Sequence, residues 1–186
     1  FDIPFERSPF NTKNIGAYKQ LKKIMKDEKY DIVHCHTPIG GILARLAGRK
    51  FRKDGLRMIY TAHGFHFYDG APKKNWIIYY PIEKFMSRYT DDLITITEED
   101  YKLAKERKFK GNIHHVHGVG VNTDKFVKLS EEDRQKLRLD KGYTDEFIIL
   151  CTGELNKNKN QATLIKAMKD VVEKHPEAKL LLAGNG

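Results

Sequence analysis

Three histidine-bearing stretches and one lysine loop hold the residue types able to do chemistry. In "HCHTPIGG", residues 34–41, His34 and His36 stand two apart. On a strand that spacing puts both rings on one face. Paired imidazoles at a strand end ligate metal when further histidines or carboxylates converge on them; the plainer reading is one core histidine and one near a helix cap. "TPIGG" opening a helix offers backbone N–H groups to an anion, and Gly40 and Gly41 let a ligand or a neighbouring backbone come close. In "TAHGFHFYDG", residues 61–70, His63 ends a strand and Gly64 permits a sharp exit. Phe65, Phe67 and Tyr68 around His66 suit a pocket for a sugar ring, or form a hydrophobic loop folded onto the core. His114, His115 and His117 show no spacing that predicts a metal cage and read as structural.

The lysine loop is "CTGELNKNKNQ", residues 151–161. A glycine after a strand, a short loop and a helix N-terminus is the general geometry for holding phosphate. It matches neither the GxxxxGK[ST] nor the GxGxxG pattern. Lys157 and Lys159 favour an anion, whereas Glu154, directly after Gly153, opposes one. By itself the loop reads equally as a surface turn.

Strands and helices alternate around these stretches. Ile15, Tyr18, Leu21, Ile24 and Met25 form one helical stripe in residues 14–30. A short buried strand follows at 31–36, then a helix over 37–51 with Thr37 as N-cap and Pro38 in its first turn. Residues 57–63 read as strand, 64–74 as a long loop, and 75–90 as a helix broken or kinked at Pro81. Strand 91–97, helix 98–108 and strand 112–118 come next. Residues 118–130 look like a connector. Ser130 caps a short helix, and 146–153, 160–176 and 178–184 read as strand, helix and strand. This βαβ order predicts an α/β fold of Rossmann-like parallel sheets with right-handed crossovers. Ligands then sit at the carboxyl ends of strands, where the residues above lie.

Composition narrows the class. Hydrophobic residues make up 40% and charged ones 32% of 186, which excludes disorder and fibre. No apolar run reaches the ~18 residues a membrane span requires. Cys35 and Cys151 each lie in an apolar run and read as small buried hydrophobes in a reducing compartment. Residues 129–186 carry ten cations and ten acids, so the net +9 lies wholly in residues 1–128. The densest patch is 45–57, with six basic residues and one acid. It reads as a solvated helix end or as a surface drawn to anionic headgroups or a polyanionic substrate. Nucleic acid is disfavoured, because no aromatics interleave with the cations.

Six segments in order, "DIVHCHTPIGGILARLAGR", "IYTAHGFHFYDG", "DDLITITEEDYKLA", "GVGVNTDKF", "CTGELNKNKNQATLIKAM" and "LLLAGNG", span residues 31–186. Together they resemble a family 4 glycosyltransferase of the GT-B fold, of the bacterial capsular and exopolysaccharide type. The resemblance implies two Rossmann-like domains across a cleft. Residues 1–128 would be the acceptor-side domain without its first strands, and 129–186 the truncated start of the nucleotide-sugar-binding domain. The family's glycine-rich loop would precede Phe1 and its acidic E-x7-E segment follow Gly186, so this piece alone is expected to lack turnover.

By the same resemblance, His63 reaches toward the transferred sugar as the catalytic candidate. Lys159, with Gly153, Glu154 and Asn160, holds the donor diphosphate. His36, Thr37 and His66 lie on the acceptor side. Many members have Gly-Arg-Leu where this chain has Gly153-Glu154-Leu155, which implies one phosphate-facing cation fewer. The implied reaction is retaining transfer of a hexosyl or N-acetylhexosaminyl group, needing neither metal nor cofactor. Its donor is a nucleotide diphosphate sugar, a UDP-sugar, and its acceptor a lipid-linked saccharide. The implied place is the cytoplasmic, anionic inner face of the plasma membrane. Two other enzyme readings stay open: a non-hydrolysing nucleotide-sugar epimerase, and a metal-dependent hydrolase on the strand-end histidines. So does a third, that the piece is a folded fragment without activity.

Overall fold

Four short apolar runs, each too short for a core helix and each followed by a helical period, build the first sheet. The computed structural model describes residues 1–6, 8 and 11–186. Strands β1 (Ile32–His36), β2 (Arg57–Ala62), β3 (Asp92–Thr95) and β4 (Asn112–His115) pair in chain order, all parallel. The register sets His36 beside Thr61, Thr61 beside Ile94 and Thr95 beside His115. The carboxyl ends of the four strands thus form one edge.

Helices α1 (Lys13–Glu28), α2 (Pro38–Gly48), α3 (Lys73–Met86) and α4 (Glu98–Glu106) join and cover these strands. The core they enclose centres on Met58, Tyr60, Phe67 and Leu93, with Ala44, Ala47 and Ala104 letting the helices approach. Gly41 is required for that approach. A Cβ there would lie 2.6 Å from a Tyr60 ring carbon, closer than side chains pack.

The chain divides into two compact units, Phe1–Gly120 and Val121–Gly186. The second holds α5 (Glu131–Asp140), β5 (Phe147–Thr152), α6 (Gln161–Lys174) and β6 (Ala178–Ala183), with β5 and β6 parallel. Ser130 caps α5 as expected, its hydroxyl accepting from the Asp133 N–H at 3.1 Å.

Several expectations are corrected. The stripe of α1 holds at Tyr18, Leu21 and Met25, which pack on the core, but Ile15 is exposed and Asn14 and Ala17 are buried instead. Asn14 is buried because its side chain bonds the backbone of Glu6 and Ser8. Helix α3 starts two residues before the expected position and runs unbroken through Pro81. Cys35 is buried, and burial pushes its thiol up to about 11, but Cys151 is only half-buried.

Thr37 occupies the N-cap position of α2 without making a cap bond; its backbone sits at φ 64, ψ 152. That region is nearly closed to a β-branched residue and costs of order 1–3 kcal/mol.

Candidate active site

The carboxyl edge of the first sheet gathers the histidines. His34 Nε2 lies 2.8 Å from Thr61 Oγ1, and His36 Nδ1 lies 3.0 Å from His63 Nε2. The three rings run as a chain, with centroids 4.3 Å apart for His34–His36 and 5.2 Å for His36–His63. A bond between two imidazole nitrogens needs one of them unprotonated.

His36 fits that demand: partial burial, then the neighbouring His34 and His63, hold it below its usual value. An unfolded histidine titrates near about 6.5. Between that pH and the lower folded value, the unfolded chain binds more protons. The stability that neutral His36 contributes is therefore full above about pH 6.5 and is lost as pH falls below it. Replacing His36 with Gln should flatten the fall in Tm between about pH 7 and 5, measured by thermal unfolding. An unchanged slope would take His36 out of this linkage.

His66 has other neighbours. Its ring lies tilted against Tyr79 of α3 with centroids 4.6 Å apart, and its carbonyl accepts from Asn75. Of the two readings of the aromatic loop, Phe65 and Phe67 fit the one folded onto the core. Phe65 and Phe67 are buried and stacked at 4.8 Å, with Phe67 also against Trp76 and Tyr80. Asp100 fixes that path by accepting the Phe65 N–H, while its own N–H goes to Thr97 Oγ1. Burial raises the Asp100 carboxyl above the usual range. Sequence reasoning overlooked Asp100, although Thr97 three residues before an acid, just after a strand, is a helix-start signal.

The His114 reading as structural fits its bond to Asp92 at 2.9 Å. Among the described residues, no group of three or more His, Cys, Asp or Glu side chains is placed to hold a metal ion.

In the second unit, the loop after β5 brings Gly153 and Lys159 together. The Lys159 stem passes 3.8–3.9 Å from where a Gly153 Cβ would stand. Asn156 Oδ1 accepts the Lys159 N–H at 2.9 Å. Glu154 turns sideways: Asn156 Nδ2 donates to its carboxylate, and Gln161 Nε2 to its carbonyl, both at 2.8 Å. Asn160 stands at the start of α6 in a left-handed conformation, and its side chain makes no cap bond.

The loop is also pinned from β6 and the residues just after it. Gly153 N–H donates to the Ala183 carbonyl and Leu155 N–H to the Asn185 carbonyl, each at 2.9 Å. A Cβ on Gly184 would fall 1.8 Å from the Gly153 oxygen. Changing Gly184 to Ala must therefore push the loop away, at roughly 1–3 kcal/mol. Hydrogen exchange at the Leu155 amide should accelerate; unchanged protection would mean that the loop does not depend on this approach.

A groove of about 910 Å³ opens at the opposite, amino edge of the first sheet, beside Arg52, Arg57, Arg88, Asp91 and Lys110. Arg52 is already paired with Asp91 at 2.5 Å and Arg57 with Asp92 at 2.6 Å. With Arg45 on Glu83, half the cations of the 45–57 patch are neutralised within the fold, which weakens that patch as a free surface. The candidate chemistry stays at the carboxyl edge, where parallel sheets bind ligands.

Parallel α/β units in this order are GT-B architecture. A crystal structure of HepE from Anabaena in complex with UDP shares the fold, with a TM-score of 0.66 at 16% identity over 90% of this chain and 43% of that one. The glycosyl transferase 4-like family model matches residues 2–97, and the glycosyl transferases group 1 model residues 130–186. The chain belongs to the glycosyl transferase 4-like family.

It is 52% identical over 188 residues to EpsD of Bacillus subtilis, a glycosyltransferase by name, covering 100% of this chain and 49% of that protein. It is 28% identical over 187 residues to an Escherichia coli UDP-Gal:alpha-D-GlcNAc-diphosphoundecaprenol alpha-1,3-galactosyltransferase, covering 96% of this chain and 48% of that protein. The chain spans about half the length of these curated relatives.

Proposed function

We propose that the protein is a retaining glycosyltransferase of bacterial capsule or exopolysaccharide synthesis. It moves a hexosyl or N-acetylhexosaminyl group from a UDP-sugar to a hydroxyl of a lipid-linked or saccharide acceptor. The observation that carries the reading is the order of the two family matches, one within each compact unit. The Escherichia coli relative supports the choice of substrates, since its name pairs a UDP-sugar with a lipid diphosphate-linked acceptor.

The bond from the sugar to the diphosphate breaks, the acceptor oxygen takes the sugar, and the acceptor proton leaves. The main demand is charge on the departing diphosphate, which a preorganised cation stabilises. Lys159 serves that role beside Gly153 and Asn160, with Glu154 held aside by Asn156. His63 positions the sugar and its developing positive charge. His36 and Thr37, with His66, lie on the acceptor side. No metal or cofactor takes part, and the work is done on the cytoplasmic face of an anionic membrane.

The test is calorimetry of UDP with the full-length protein, together with NMR of the product's anomeric carbon. Uridine nucleotide binding and a product of the donor's configuration are expected. Absence of nucleotide binding would remove the donor, and an inverted product would remove retention.

A further inference from the structure

Helix α3 carries apolar residues on the wrong side for a core. Trp76, Tyr80, Glu83 and Met86 face inward, yet Ile77, Ile78, Ile82 and Phe85 are 74%, 51%, 40% and 47% exposed. At 100° per residue these four fall in one stripe opposite the buried face. A stripe of this kind on a water-facing helix marks an interaction surface.

Its borders are cationic. Lys73 and Lys74 lie at one end and Arg88 just past the other. Lys84 reaches across to the carbonyls of Arg107 and Lys108. The like charges of Lys110, Lys108 and Arg88, after partial burial, pull the Lys84 ammonium below its usual range, so these cations form one cluster. The only acid of α3, Glu83, is buried on Arg45 and offers nothing outside.

We propose that the outer face of α3 docks this protein on an anionic lipid bilayer, with Ile78, Ile82 and Phe85 entering the headgroup boundary and the exposed Arg88, Lys108 and Lys110 facing lipid phosphates. Charge selects this occupant over a second copy. A two-fold contact through the same face would set the two cation clusters around one patch, with no exposed acid on the helix to answer them. The inference rests on the membrane-bound reading above and gives it a surface, one distinct from the 45–57 patch.

The experiment is co-sedimentation of the full chain with vesicles of phosphatidylcholine alone, or with about one-quarter phosphatidylglycerol. Binding is expected to the anionic vesicles, falling with salt as charge attraction does. Ile78→Ser with Ile82→Ser and Phe85→Ser changes only exposed residues, so the fold should persist, checked by circular dichroism. This variant should bind about tenfold or more weakly. Arg88→Gln with Lys110→Gln should lose about fivefold per cation and some of the salt dependence. Unchanged binding by the triple variant, or equal binding of the parent chain to neutral vesicles, overturns the proposal. So does self-association that the triple variant abolishes in the absence of vesicle binding. UDP titration of the same variants in the full-length protein separates the two claims. In the parent protein, nucleotide binding without binding to anionic vesicles removes the surface alone, and vesicle binding without nucleotide binding removes the transferase reading.

Discussion

Arg45→Ala is expected to destabilise the Phe1–Gly120 unit by roughly 3–5 kcal/mol, the range for breaking a buried ion pair from one side. Arg45 is 1% exposed. Its Nε donates to the Gly41 carbonyl at 2.9 Å, its Nη2 to Glu83 at 3.0 Å, and its guanidinium carbon lies 4.0 Å from the centre of the Tyr60 ring. Alanine would leave the Glu83 carboxylate buried without its cation, next to a Tyr60 hydroxyl already pushed above its usual range by burial and by Glu83. Whole domains hold only about 5–15 kcal/mol, so a large share of the total is at stake. Urea unfolding followed through the single tryptophan, Trp76, reads the loss. Arg45→Met combined with Glu83→Leu should restore most of it, because a well-packed apolar pair often replaces a buried ion pair without loss. A cost below about 1 kcal/mol for Arg45→Ala would put this pair with solvent-compensated surface bridges instead.

Lys159→Ala is expected to weaken UDP binding by the full-length protein by about tenfold to a hundredfold, the worth of one charge-assisted hydrogen bond. In the proposed transfer, turnover should fall by ~100-fold or more, because charge on a leaving diphosphate grows as the sugar departs. The stem of Lys159 is set against Gly153 and its backbone N–H is tied to Asn156, so the ammonium sits on an ordered loop and not on a free tether. Lys157 gives the control: it is exposed in the same turn with no such anchoring contact among the described residues, and Lys157→Ala should change affinity little. Equal effects at the two positions would mean that the loop acts by summed charge alone.

The alternation of strands and helices was legible because buried parallel strands read as short apolar runs, as in residues 32–36 and 57–62. The strand-end position of His36 and His63 followed from it, but their 3.0 Å contact did not, since it depends on the register of β1 with β2. Features set by distant partners stayed hidden. Arg45, Arg52 and Arg57 read as one basic patch until Glu83, Asp91 and Asp92, each 35 or more residues away, came to meet them. Pro81 reads as a helix breaker, yet packing of Trp76 and Tyr80 against Phe67 holds α3 through it. Asn14 is polar, so no hydrophobic period could place it inside. Glu154 reads as a carboxylate opposing phosphate; the side-chain amide that turns it aside belongs to Asn156, two residues on.

The two edges of the first sheet are held by different kinds of contact. One carries the run of rings His34, His36 and His63, with His36 held toward its neutral form by partial burial and by its two neighbours. The other is closed by Arg52–Asp91 and Arg57–Asp92, ion pairs that stay charged throughout the range of pH that cells experience and are weakened by added salt. Added salt is therefore expected to loosen the amino end of the same four strands while the ring contacts at their carboxyl end stay in place.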